Sequence, residues 1–328
     1  MNLKERSNKT LTDRITDVVK CKRNSARTYA STIVRLANLF TKGYTDDLKF
    51  LKDDSLFEKL KRHNASLHTK RNLTNAVLIA LKLEPNPKMS EKYRKYLLTL
   101  NKQVDEQAKS GVLTDKQKAK FVDWSEIIKL RKLLAKQLRL SQAMKRQKVS
   151  GKDMKVINEH LALCCLTMTP PTRLDWATVR FYNTKSFGKL DSDAKTSENM
   201  VIIRRSSVTI VWNQYKTASK HGTVSHELPK DLSRIIKRHV KFLTERFPKN
   251  NRLFLNAKFE GMSRTSFQKL LETLFFRYFR KRLSVSAIRR IYLSSKYSHK
   301  MVREAQEDAR KMMHSVSTQQ THYIKKTE

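Results

Sequence analysis

Apolar residues recur at helical spacing through most of this chain. Tyr29, Ile33, Leu36 and Phe40 share one face of a helix that Asn24 and Ser25 can cap and Gly43 can stop. Leu73, Val77, Ala80 and Leu81 mark a second amphipathic helix, ended by Pro85 and Pro87. From 88 to 120 the chain is charged and helix-prone, without a strong apolar stripe. Asp123 and Glu126 form a capping-box pattern that leads into Ile127, Leu130, Leu134 and Leu138. A further helix carries Ile157, Leu161, Cys164, Cys165 and Met168 and halts at Pro170 and Pro171. Strand character appears only between residues 178 and 228, where Val201, Ile203, Val208, Ile210 and Trp212 sit among Thr and Ser. The segment NQYKTASKHGTVSHELP reads as a turn joining two strands, with Gly222 near its end. Helices resume with Leu232, Ile235, Ile236 and Val240, then Phe267 to Phe279, Val285 to Leu293, and a last pair from 301. The pattern predicts a mainly α protein with a small antiparallel β-sheet in its C-terminal domain. It places a helical N-terminal domain at 1–87, a linker or connecting helix at 88–120 and a C-terminal domain at 121–328.

Composition agrees with two domains and adds a partner. The 328 residues are 39% hydrophobic, enough for a core in each domain, and six glycines and six prolines leave few breaks in long helices. The decisive number is the charge: 70 Lys and Arg against 30 Asp and Glu leave +40. Such an excess repels itself unless a polyanion neutralises it, and nucleic acid is the expected one, with a ribosomal-type binder and a polybasic membrane-surface protein as the plainer readings. The polar helix faces bearing Lys22, Arg23, Arg27, Arg35, Lys70 and Arg71 suit a domain that lies against a phosphate backbone. Cys21, Cys164 and Cys165 have no Cys/His spacing that suits zinc and read as reduced, buried thiols. The opening MNLKERSNKTLTDR lacks the apolar stretch of a signal peptide, and no segment is apolar enough to span a bilayer. The expectation from composition is an intracellular protein that binds nucleic acid.

Four short segments carry candidate chemistry. TPPTRLDW places Arg173 just after a proline-terminated helix, and QYKT places Lys216 at the strand turn. SAIRRIYL puts Arg289 and Arg290 in a helix. MMHSVSTQQTHY sets His314 and Tyr323 nine positions apart. In this order the segments resemble the tyrosine recombinases, the family of phage integrases and Xer-type enzymes. Its pattern runs arginine, lysine, a His-x-x-Arg box, then His or Trp, then tyrosine. His314-Ser315, Thr318 and Tyr323 fall in the places of its last box, Gly-His-Ser-x-x-Thr-Thr-x-x-Tyr. SAIRRIYLS also resembles the corresponding box in recombinases of eukaryotic mobile elements and large DNA viruses. The motifs cover the C-terminal two-thirds, and the N-terminal helical domain is similar in size, character and position.

The resemblance implies a two-domain DNA clamp with the tyrosine recombinase catalytic fold in 121–328 and a core-DNA-binding domain in 1–87. It implies a metal- and ATP-independent enzyme with no cofactor, acting as a homotetramer on paired, short inverted recognition sites to integrate or excise a mobile or viral genome. Tyr323 would be the nucleophile and leave a 3′-phosphotyrosyl link. Arg173, Arg289 and His314 would hold the scissile phosphate, Lys216 would protonate the leaving 5′ oxygen, and Asp175 would orient Arg173. Some residues depart from the family pattern. Ser286 stands where the box has histidine, Met313 replaces the glycine before His314, and Asp175 is two rather than three places after Arg173. Arg290 and Lys220 are the alternatives to Arg289 and Lys216. Rival readings are a type IB topoisomerase, a catalytically silent DNA-binding protein of the same fold, and a metal-dependent nuclease using Asp191, Asp193 and Glu227, whose spacing recommends nothing.

The charge alone yields a measurement. Duplex binding is expected to weaken by roughly 10³–10⁵-fold between 50 and 200 mM salt, the loss for six to ten phosphate contacts. An affinity flat in salt would remove nucleic acid as the neutralising polyanion.

Overall fold

The computed structural model describes residues 3–40, 48–53, 55–313 and 316. The chain forms two compact units, Met1–Val112 and Leu113–Glu328. The described part of the first unit is helical: α1 (Leu3–Val19), α2 (Arg23–Phe40), α3 (Leu56–Arg62), α4 (Leu67–Leu83) and α5 (Pro87–Lys109). The helix predicted behind Asn24 begins one residue earlier and buries Ala26, Ala30, Ile33, Leu36 and Ala37. Its small alanines let α1 and α4 pack closely on it, and Tyr29 and Phe40 lie only partly buried at the margin. Gly43, the predicted stop, lies outside the described residues. The side chain of Ser66 caps α4 by accepting from the Thr69 amide at 3.3 Å.

The segment 88–120, expected as a linker or connecting helix, is largely one long helix, α5. Asn86 caps α5 by accepting from the Met89 amide at 3.0 Å, with Pro87 in the first turn. The helix then packs on α4 as part of the first unit and buries Tyr93, Leu100 and Val104. Three buried residues in 23 make too thin a stripe to stand out against the charges around it. The boundary falls at 112/113, so the first unit extends well past residue 87 and the second begins before 121.

The second unit runs α6 (Asp115–Lys118), α7 (Trp124–Ser141), α8 (Gly151–Thr167), β1 (Arg180–Asn183), α9 (Thr184–Gly188), α10 (Ser192–Ser197), β2 (Met200–Ile203), β3 (Val208–Trp212), α11 (Ala218–His221) and β4 (Val224–Glu227). It continues through α12 (Lys230–Arg246), α13 (Arg264–Phe279), α14 (Val285–Lys296) and α15 (His299–Lys311). The helix predicted behind Asp123 forms, but the Asp123 side chain makes no cap bond, and Glu126 pairs instead with Lys129 at 2.7 Å. The protein is mainly helical with one small sheet, as expected, but the sheet is mixed rather than antiparallel. Its order is β1-β2-β3-β4, with β1 and β2 parallel and the other pairs antiparallel. The crossover through α9 and α10 returns β2 in the direction of β1, which a tight turn cannot do. Met200, Val201 and Ile202 are buried, whereas every residue of β4 is exposed. The core gathers α7, α8, α12, α13 and α14 around β2 and β3, with Trp176 edge-on to Trp212 at 5.0 Å. Among the described residues no helix is long and apolar enough to cross a membrane.

Two histidines sit inside this core. The His239 Nε2 lies 2.9 Å from the Leu253 carbonyl and donates to it, and His160 lies 3.4 Å from the Cys164 thiol. Burial, the largest cause, pushes both imidazoles down to about 4 from an ordinary 6.5. Burial also pushes the Cys164 thiol up to about 12 and the Cys165 thiol well above its usual value, which leaves both unreactive.

The sign of the histidine effect follows from proton counting. Between pH about 4 and 6.5 the unfolded chain binds protons that the folded chain refuses. Stability is therefore full above 6.5 and is lost as pH falls towards 4. Urea unfolding at pH 7.0, 5.5 and 4.5 should show this decline, and His239→Gln should make it shallower. An unchanged slope in the variant would show that His239 does not contribute.

Candidate active site

The site begins where α8 stops. Pro170 and Pro171 break the helix, and the chain turns through a 3₁₀ segment, Leu174–Thr178, with Arg173 at its head. Trp176 and Ala177 are buried and fix this turn, which packs against α13. Asp175 is carried inward with them, while Arg173 stays exposed.

Two helix starts meet the turn. Ser263 caps α13 through the Ser266 amide at 3.1 Å, which puts Arg264 in the first turn. The Arg264 Nη2 donates to Asp175 Oδ1 at 3.0 Å and to the Gln214 carbonyl at 3.3 Å. Ser284 caps α14 through the Ala287 amide at 3.3 Å, and Val285, Ala287, Ile288 and Ile291 face the core. That core face holds Arg289 half-buried at its edge, close enough for its charge to act on both Asp175 and Arg173. Ser286 is exposed on the same turn, one helical step before Arg289.

The electrostatics follow from this packing. Burial raises the Asp175 carboxyl above its usual value, opposed by Arg264, then Arg173, then Arg289. Burial lowers Arg289, as does the neighbouring Arg173, and Asp175 partly offsets both. Arg173 and Arg289 thus stand together as two cations sharing one buried anion. A planar fork on each suits the non-bridging oxygens of a phosphate.

The third part is the β3–β4 hairpin, which carries Lys216 in the turn and Lys220 in α11, both exposed. Its base is held by two buried asparagines. Asn199 Oδ1 accepts from the Asn213 and Gln214 amides at 2.9 and 2.8 Å, and its Nδ2 donates to the Gln214 carbonyl at 2.9 Å. Asn213 Nδ2 donates to the Lys195 and Glu198 carbonyls, and its Oδ1 accepts from Thr223 at 2.8 Å. The Tyr215 hydroxyl donates to the Gly222 carbonyl at 2.7 Å and closes the loop. Gly222 has φ 65° and ψ −157°, a conformation open in practice only to glycine.

The structure therefore brings Arg173, Asp175, Arg289 and the Lys216 hairpin to one place. Arg289, rather than Arg290, is the arginine whose charge acts at Asp175. His314, Ser315, Thr318 and Tyr323 lie outside the described residues. The six predicted DNA-contacting residues are distributed: Lys22, Arg27 and Arg35 are exposed, Arg23 is paired with Asp13 at 2.8 Å, and Lys70 donates to the Lys61 carbonyl at 2.8 Å. Arg71 is half-buried on α4. Arg264, Asn199 and Asn213 were not foreseen. Among the described residues no three His, Cys, Asp or Glu side chains group to hold a metal ion, Asp191, Asp193 and Glu227 included. A concavity of about 640 Å³ beside Leu138, Met144, Arg238 and Phe242 contains none of the site residues. No protein-family model and no curated protein matches the chain.

The asparagine clasp can be weighed directly. Asn199→Ala strips the partners from two backbone amides at the hairpin base, each costing about 1–3 kcal/mol when left buried and unpaired. Equilibrium unfolding is expected to show a loss of roughly 2–6 kcal/mol on that basis. A loss within the few tenths typical of a surface substitution would mean that water or another group takes over these bonds.

Proposed function

We propose that this chain is a DNA strand transferase that uses the chemistry of the tyrosine recombinases, with Tyr323 as its nucleophile. The observation that carries the proposal is the convergence of Arg173 and Arg289 on Asp175, beside the hairpin that bears Lys216. The order and spacing of the His314-to-Tyr323 box and the +40 charge also support it.

In this reading Arg173 and Arg289 each present a fork to a non-bridging oxygen of the scissile phosphate and hold the charge that develops as the tyrosine attacks. A tyrosine hydroxyl ordinarily ionises near pH ~10, and the same positive charges favour its phenolate. His314 donates to the phosphate. Lys216 gives its proton to the departing 5′ oxygen as general acid. The phosphorus–5′ oxygen bond breaks as the phosphorus–Tyr323 bond forms, leaving a 3′-phosphotyrosyl link and a free 5′ hydroxyl. The link keeps the phosphodiester free energy, so reversal by an incoming 5′ hydroxyl rejoins the strand without ATP. Short inverted sites, a homotetramer on paired sites and integration or excision of a mobile or viral genome belong to the same proposal.

The test is covalent capture in EDTA on a library of nicked, partly randomised duplexes, followed by denaturation and sequencing of the attached DNA. Wild-type protein is expected to retain DNA and Tyr323→Phe to retain none. Attachment that survives in Tyr323→Phe would move the nucleophile to another tyrosine. No attachment by a folded, DNA-binding wild type would favour a silent DNA-binding protein. Relaxed supercoils without joined recombinants would favour a topoisomerase.

A further inference from the structure

We infer that Arg264 is a positioning residue, which fixes the place of the Lys216 hairpin relative to Arg173 by bridging Asp175 and the Gln214 carbonyl. The inference rests on the reaction proposed above.

The bridge is geometric. One nitrogen, Nη2, reaches the Asp175 carboxylate at 3.0 Å and the Gln214 carbonyl at 3.3 Å, from the first turn of α13. The two acceptors belong to different parts of the site. Asp175 follows Arg173 by two residues on the 3₁₀ turn, and Gln214 precedes Lys216 by two residues on the hairpin. Gln214 is pinned from three directions: its amide by Asn199 Oδ1, and its carbonyl by both Asn199 Nδ2 and Arg264. The peptide at Gln214 is thus a pivot, and the exposed Lys216 swings on a lever two residues long.

Asp175 is committed to this bridge more than to the phosphate-holding arginines. Its side chain is only 10% exposed, and among the described residues its ion pair is to Arg264. Arg264 also exerts the strongest attraction on its charge, ahead of Arg173 and Arg289. Among the described residues neither Arg173 nor Arg289 forms an ion pair with Asp175, and their forks are open to an outside anion.

A bland alternative is an ordinary surface ion pair. The Arg264 side chain is 49% exposed, and pairs of that kind contribute little to stability. That exposure makes its variants good probes, because α13 is capped by Ser263 and keeps its core contacts without Arg264.

The two roles separate on a leaving-group test. An alkoxide leaves poorly without a proton donor, whereas sulfur in the 5′ bridging position leaves as a thiolate without one. The probe is the duplex recovered by covalent capture, made in oxygen and 5′-bridging-sulfur forms, cleaved in single turnover by wild type, Arg264→Ala, Arg264→Gln, Lys216→Ala and Arg173→Ala. Lys216→Ala should slow the oxygen substrate by roughly 10²–10⁴-fold, the usual worth of a general acid. Both Arg264 variants are expected to slow it by about tenfold or more and to recover most of the wild-type rate on sulfur, as Lys216→Ala does. Arg173→Ala should stay slow on both. Equal defects on oxygen and sulfur, or wild-type rates on both, would overturn the inference. A second measurement needs no reaction: amide hydrogen exchange at 215–222 should quicken in Arg264→Ala while β2 and β3 exchange as before. Unchanged exchange would also overturn it. A wild type that cleaves neither substrate would defeat the proposed reaction, and the exchange result would still decide whether Arg264 holds the hairpin.

Discussion

Guanidinium groups repel one another, and a chain with 70 basic residues against 30 acidic ones has few carboxylates with which to hold two of them close. Asp175 meets that constraint. It is the buried anion on which Arg264, Arg173 and Arg289 all act, and each of the three comes from a different stretch of chain. The cost is desolvation, which raises its carboxyl above the usual range. The three cations offset part of that cost, so the group and its partners depend on one another. Removing the anion would leave the mutual repulsion of Arg173 and Arg289 without the attraction that Asp175 exerts on it.

Placing a carboxylate there requires the packing beneath it. The 3₁₀ turn is anchored by Trp176 against Trp212, which links the arginine segment to β3. The same strand runs on into Asn213 and the hairpin, so one aromatic pair registers both halves of the site. The clasp of Asn199 and Asn213 completes the connection with buried polar groups whose partners are all backbone or Thr223. Satisfied networks of this kind favour one arrangement over many, because any slip leaves several groups without partners. The hairpin beyond the clasp is different in kind. Lys216 and β4 are exposed, and the loop is held mainly by the Tyr215 hydroxyl and the backbone turn at Gly222.

Much of this was legible in the chain because it is local. The helical period located α2, α4, α7, α8 and α12 to α14, and β-branched runs located β2 and β3. Arg173, Lys216 and Arg289, the last two beside the alternatives Lys220 and Arg290, were singled out by the segments TPPTRLDW, QYKT and SAIRRIYL in which they stand. The failures are those of long-range contact. Arg264 looks like any other basic residue until Asp175, 89 positions away, is known to lie beside it. Asn199 and Asn213 sit in polar flanks where asparagine is commonplace, and only the register of β2 with β3 gives them partners. The parallel pairing of β1 depends on a crossover, and strand propensity carries no direction. Helix α5 was taken for a connector because Tyr93, Leu100 and Val104 are too sparse to reveal a packing face.

The spacing that hid Arg264 also sets a schedule. Synthesis proceeds from the N-terminus at roughly 5–20 residues per second, so Asp175 leaves the ribosome roughly 4–18 seconds before Arg264, with Arg289 later still. Until then the helix against which its turn packs is missing, the carboxylate stays in water, and a lone Arg173 is one cation among many. The anion-holding cradle cannot be assembled piecemeal. A nascent or prematurely ended chain can carry abundant positive charge and still lack the one arrangement in which Arg173, Arg264 and Arg289 act together on a buried carboxylate.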